Sequence, residues 1–212
     1  MRIVIVVLMF IICEGGIAAS ASWSGISVMT GGNYYGEVAQ YHMGGEARNV
    51  AGNSAEIRST FFAHKEDNRL YMKHRDYSEE PDNPTFNWWA FAAYGDIVSD
   101  ETFSSLNRID DFYSNDVYTG GTLVENPDDF YMAFKISEVL WDGSDYVAGE
   151  TWYGWVHASI AENLEMTLLG DGINLDGGPV MVGEGGTPEP TSGLLLLVGG
   201  ALLALRRRKN LV

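Results

Sequence analysis

The acidic residues of this 212-residue chain fall into pairs that suit metal or sugar chemistry. Asp110-Asp111, Asp128-Asp129, Asp142 with Asp145, and Asp171 with Asp176 all lie in stretches that read as loops. Calcium takes about six to eight oxygens from such loops, carboxylates and backbone carbonyls together. Asp142-Gly143-Ser144-Asp145 and Asp171-Gly172-Ile173-Asn174-Leu175-Asp176 are the two calcium candidates. Neither has the alternating acids, central glycine and distal glutamate of an EF-hand, and Asp with Gly builds turns without any ion. No cofactor is therefore expected, and calcium is the one ion the loops leave open. Glycoside hydrolysis also uses two carboxylates, roughly 5–9.5 Å apart, but so acidic a chain brings some pair that close in any fold.

Other chemistry is sparser. His42, His64, His74 and His157 show no metal-binding spacing along a strand or a helix; His64 and His74 meet only if a hairpin brings them together. There is no Gly-x-Ser-x-Gly elbow, phosphate loop or dinucleotide fingerprint, so no catalytic residue is assigned and an enzyme is not expected. Six tryptophans, Trp23, Trp88, Trp89, Trp141, Trp152 and Trp155, supply core or, where exposed, flat platforms for sugar rings. Trp88 and Trp89, adjacent on a strand, must face opposite ways.

The elements that would position these residues read as strands and turns. Glu56 to His64 and Arg69 to Arg75 alternate about a turn at Lys65–Asn68, which predicts a hairpin over 56–75. Strands are also expected at Gly25 to Thr30, Tyr34 to His42 and Phe130 to Ser137, with breaks at Gly31-Gly32-Asn33 and Gly44-Gly45. Phe86 to Tyr94 is nearly continuously apolar and reads as a strand buried on both faces. Trp152 to Ala161 alternates and turns at Glu162-Asn163 into Leu164 to Leu169, a second hairpin. Phe103, Leu106 and Ile109 suggest a short helix over 100–109. Many short strands with few helices predict an all-β domain, an antiparallel β-sandwich or jelly roll with a small barrel as the alternative, over residues 22–186.

The ends have a different character. Arg2 precedes an apolar run from Ile3 to Ile12, followed by small residues through Ala19-Ser20-Ala21. That order is a signal peptide over residues 1–21, with Ala19 and Ala21 serving signal peptidase. The only cysteine, Cys13, leaves with it, so disulfides and thiol chemistry are not expected in the mature chain. At the other end an apolar run from Gly193 to Leu205 makes a helix about 20 Å long, a short span for a bilayer core of about 30 Å. Arg206, Arg207, Arg208 and Lys209 stop it on the cytoplasmic side, which places the domain beyond the inner membrane.

Pro188-Glu189-Pro190, the leucine-rich helix over 193–205 and the closing Arg cluster together resemble the PEP-CTERM sorting signal of Gram-negative bacteria. The match covers 187–209. The stretch from Phe130 to Gly185, with Tyr153-Gly154-Trp155-Val156, more loosely resembles the C-terminal half of PEP-CTERM proteins of unassigned activity. The sorting signal implies that an exosortase cuts near the motif and passes the domain to the cell surface or extracellular matrix.

Trimmed to 22–190, the chain keeps 8 basic and 28 acidic residues, a net charge near −20. Such a surface repels nucleic acid and anionic headgroups. The expectation is thus an exported, non-enzymatic surface or matrix protein with weak glycan or calcium binding, whose partners are signal peptidase, exosortase, the inner membrane in transit, and extracellular polysaccharide. The alternative is a secreted polysaccharide-active hydrolase working through loop carboxylates.

Overall fold

The computed structural model describes residues 21–34, 38–75, 86–111 and 120–184. The chain opens with β1 (Ser22–Trp23), β2 (Ser27–Tyr34), β3 (Val38–Arg48), β4 (Ser54–Glu66), β5 (Arg69–Arg75) and β6 (Phe86–Ala92). Short elements follow: β7 (Ile97–Val98), α1 (Asp100–Phe103), β8 (Asn107–Arg108), β9 (Asp110–Asp111) and β10 (Thr122–Leu123). Three long or medium strands, β11 (Phe130–Trp141), β12 (Tyr146–Ile160) and β13 (Met166–Asn174), precede the last, β14 (Val180–Met181). The domain is all-β. Among the described residues no helix is long and apolar enough to cross a membrane.

Among these residues β1, β2, β3, β4, β5, β9 and β10 form one sheet and β13, β12, β11, β6 and β8 a second, with β14 and β7 as a separate ribbon. All pairs are antiparallel except β5 with β9. Long strands that follow one another in the chain pair within a sheet, so the wiring is two meanders and does not alternate between sheets as a jelly roll does.

The alternation explains the packing. Tyr41, Met43, Ile57, Phe61 and Met72 from the first sheet meet Trp89, Met132, Phe134, Ile136, Trp152 and Val156 from the second in one core. Trp89 stands edge-on to Phe61, ring centroids 5.0 Å apart, and its Nε1 donates to Ser59 Oγ across the sheets. The outer face of the second sheet carries a smaller core. There Val98, Val182, Phe103 and Leu106 cover Ala133, Tyr153 and Trp155.

The hairpin over 56–75 forms, with register Glu66↔Arg69. Asp67 and Asn68 both have positive φ, the two-residue turn whose twist matches that of the strands. The two faces of β12 divide as the alternation predicts, Val156 and Ala158 inward and Tyr153 and Trp155 outward.

Several boundaries differ from expectation. Gly31-Gly32-Asn33 does not end a strand: β2 runs through it with a bulge between Thr30 and Asn33. Gly44-Gly45 lies inside β3, where a side chain at Gly45 would press on the Trp23 ring. The segment 100–109 forms only one turn of helix, opened by a capping box between Ser99 and Thr102, before the chain enters β8. Strand β6 buries Asn87 and Trp89 on one side and leaves Phe86 and Trp88 half-buried on the other, so it is not enclosed on both faces. The second hairpin turns at Glu162-Asn163 as expected, with Leu164 N donating to Ala161 O, but Leu164 takes a positive φ and the returning strand starts only at Met166.

Ala21 is exposed, and β1 starts at the next residue. Ala19, Pro188, Glu189, Pro190, the helix expected over 193–205, and Arg206, Arg207, Arg208 and Lys209 lie outside the described residues.

Candidate functional site

Strand β11 does not end at Ser137. It runs on to Trp141, turns, and returns as β12 from Tyr146. Of β11, strand β6 pairs only with Tyr131–Ser137, and of β12, strand β13 pairs only with Tyr153–Ile160. Beyond those limits, among the described residues, β11 and β12 pair with each other alone, through Val139↔Ala148, Leu140↔Val147 and Trp141↔Tyr146. The result is a two-stranded arm that outruns its sheet. Trp141 is 60% exposed, and Val139, Leu140, Tyr146 and Val147 are exposed with it. The Trp141 and Tyr146 rings meet edge to face, centroids 5.1 Å apart, on one face of the arm. Of the six tryptophans only Trp141 is exposed; Trp89, Trp152 and Trp155 are buried, and Trp23 and Trp88 are half-buried.

The first calcium candidate is the tip of this arm. Asp142 Oδ1 accepts from Ser144 N, Asp145 N and Ser144 Oγ at 2.8, 2.8 and 2.9 Å. These donors, the two backbone N–H groups first, hold its carboxyl below the usual carboxylate range. Gly143 takes φ +103, which lets the loop close. Asp145 Oδ1 accepts from Tyr146 N. One carboxylate oxygen of each thus serves the turn.

The base of the arm is clamped to the first sheet. Glu150 Oε2 accepts from Asn49 Nδ2 at 2.8 Å and from Asn53 Nδ2 at 2.7 Å. Asn49 and Asn53 sit in the β3–β4 turn, and Asn49 Oδ1 also accepts from Asn53 N. Beside the clamp, Ser137 Oγ and Thr151 Oγ1 lie 2.7 Å apart. The aromatic pair is therefore carried on a braced lever.

The second calcium candidate does not form a loop. Asp171 lies within β13, and its Oδ2 accepts from Trp23 Nε1 and Ile26 N at 2.9 and 2.6 Å, tying the two sheets together. Asp176 is exposed in the turn that follows, where its N–H donates to Asn174. Among the described residues no group of three or more His, Cys, Asp or Glu is placed to hold a metal ion.

The remaining acids and histidines are scattered. Asp111 bonds Arg108 at 2.8 Å and lies 3.9 Å from His74, and these neighbours, His74 first, lower its pKa against partial burial. Asp129 meets His157 Nε2 at 2.6 Å, with Tyr131 stacked on the imidazole. His64 and His74 do not approach each other: His74 packs inward on Phe61 and Trp89, while His64 stacks on Tyr71 on the opposite face.

A carboxylate pair that the sequence had not singled out lies elsewhere. Glu46 and Glu56 are cross-strand neighbours on the outer face of β3 and β4 and line a shallow groove with Ser24, Ser27 and Ser54. Glu46 is 58% exposed and bonded to Arg48. The fully buried or exposed tryptophans take no part in this groove.

The arm had a signal in the sequence. Asp-Gly between Val139-Leu140-Trp141 and Tyr146-Val147 is a hairpin pattern.

No family model, curated protein or solved structure matches this chain.

Proposed function

We propose that the chain is an exported, non-enzymatic cell-surface or extracellular-matrix protein that binds polysaccharide through the arm of β11 and β12, on an antiparallel β-sandwich scaffold. The observation that carries this reading is the exposed Trp141–Tyr146 pair, on a ribbon that among the described residues extends past the strands flanking it. Flat rings held on a braced hairpin offer apolar faces to the C–H faces of sugars at little entropic cost, because Glu150 has already fixed the lever. The turn bonds of Asp142 and Asp145 need no ion for this role.

Charge sets the class of glycan. No Lys or Arg lies between Lys135 and Arg206, and the arm carries Glu138, Asp142, Asp145 and Glu150. An anionic polymer is repelled, and a neutral or amine-bearing polysaccharide is accepted. The N-terminal signal, the Pro188-Glu189-Pro190 motif and the apolar tail closed by Arg206–Lys209 support delivery to the surface by signal peptidase and an exosortase.

The test is a glycan-array screen of residues 22–187 beside the Trp141→Ala variant. Binding to neutral or amino-sugar polymers, lost in the variant, is the expected result. Equal binding by both proteins, or binding confined to anionic glycans, would sink the arm as the site. Replacing Pro188-Glu189-Pro190 with alanines should trap the protein at the inner membrane; unchanged release argues against exosortase handling.

A further inference from the structure

The exposed apolar side chains outside the arm include a second group, gathered where the described chain ends. The last described residue, Glu184, is pinned: its carbonyl accepts from Trp155 Nε1 at 3.0 Å. Just before it, β14 pairs with β7 through Val180↔Val98 and Met181↔Ile97. Val182 extends the ladder, donating to Asp96 O and accepting from Gly95 N. Val98 and Val182 point into the small core, whereas Ile97 and Met181, facing each other across the ribbon, are exposed. Tyr94 is 66% exposed and lies over Gly183, where any side chain would collide with its ring. Tyr94, Ile97 and Met181 thus form an apolar rim beside the last described residue.

The chain beyond this point is short. From Glu184 to Gly193, the first residue of the apolar run, there are nine residues, which reach at most about 30 Å fully extended. If that run enters a bilayer, the exit rim is held within this distance of the lipid.

We propose that the ribbon of β7 and β14, with Tyr94, is a bilayer-resting face: while the tail is inserted, Tyr94, Ile97 and Met181 contact the headgroup boundary of the membrane. The inference rests on the membrane-inserted tail of the proposed function. Tyrosine favours this boundary, with its ring toward the acyl region and its hydroxyl toward water. Asp96, Asp100 and Glu184 flank the rim, so anionic lipid does not attract it. The driving force is apolar contact at the high effective concentration a short tether imposes. Release of the tail removes that tether, and the contact with it.

The mature region contains no cysteine, which makes site-specific labelling simple. Full chains carrying Cys13→Ser and one new cysteine, Ile97→Cys, Met181→Cys, Val50→Cys or Leu196→Cys, are labelled with an environment-sensitive fluorophore. They are reconstituted into vesicles of phosphatidylethanolamine with a minor share of phosphatidylglycerol, containing lipids spin-labelled either at the headgroup or deep in the acyl chain. The expected result is deep quenching at 196, headgroup-level quenching at 97 and 181, and little loss at Val50, an exposed apolar residue in the β3–β4 turn. Quenching at 196 with 97 and 181 no more affected than 50 overturns the resting face and leaves the inserted tail standing. No quenching at 196 overturns the inserted tail and this inference together.

Discussion

Hairpins β4–β5 and β11–β12 are both long, apolar and aromatic, yet they meet opposite fates. The first closes through Asp67 and Asn68, and its strands lie between β3 on one side and β9 and β10 on the other. Phe61, Met72 and Ile57 are buried against the second sheet. The second closes through Asp142–Asp145, and among the described residues only the first part of β11 and the last part of β12 have flanking strands. Val139-Leu140-Trp141 is as apolar as anything in β4, but the flanking strands stop short of it. Exposure here is set by the lengths of neighbouring strands, not by the strand's own residues.

The sharpest way to break this comparison is to remove a tryptophan from each region. Trp89→Ala deletes a side chain packed on Phe61 and Phe134 and orphans Ser59. It should cost about 3–5 kcal/mol in a denaturant titration. Trp141→Ala should stay within about 0.5 kcal/mol. A comparable loss from both would mean that the arm packs against the body.

A smaller loss is expected where the arm joins the sheet. Gly154 faces the Phe134 ring, and a methyl there would stand 2.5 Å from Gly172 O. Gly154→Ala should destabilise by about 1–3 kcal/mol through overpacking, read as a lowered melting temperature. A neutral result would show that β11 and β12 separate freely at this point.

The clamp sharpens the comparison further. Glu150→Ala leaves the Asn49 and Asn53 amides without their shared acceptor and should cost about 1.5 kcal/mol. Amide hydrogen exchange should then accelerate in residues 138–152 and not in β4 and β5. Uniform acceleration would argue that the arm has no separate brace.

The mildest effect belongs to the tip. In the fold Asp142 is held below its ordinary pKa by the turn's N–H groups, so its contribution to stability is present above the unfolded value, about pH 4, and fades as pH falls through the lower folded value. The melting temperatures of wild type and Asp142→Asn should therefore differ at neutral pH and converge below pH ~4. A gap that widens in acid would reverse the assignment.

Much of the strand content was legible in the chain, because alternation in 56–75 and 152–160 has one period and one consequence. What could not be read was which glycines are turns. Gly45, Gly154 and Gly172 sit inside strands with aromatic rings, Trp23, Phe134 and Trp155, laid over them, and nothing local distinguishes them from Gly52 or Gly143 in loops. Asp171 shows the same limit. Its partners Trp23 and Ile26 are some 145 residues away in sequence, so spacing alone assigned it to a neighbouring acid. The arm was half legible: its Asp-Gly turn was visible, but the absence of flanking strands depends on where β6 and β13 end.

The wiring into two successive meanders has a temporal side. Strands β2 to β5 are complete once Arg75 has been made, but the strands that cover their inner face end only at Asn174. At about 5–20 residues per second, the ribosome leaves Tyr41, Met43, Ile57 and Phe61 without their opposite layer for several seconds. During that interval the nascent first half presents a sticky β-surface, and a holding chaperone has a defined stretch of chain to shield.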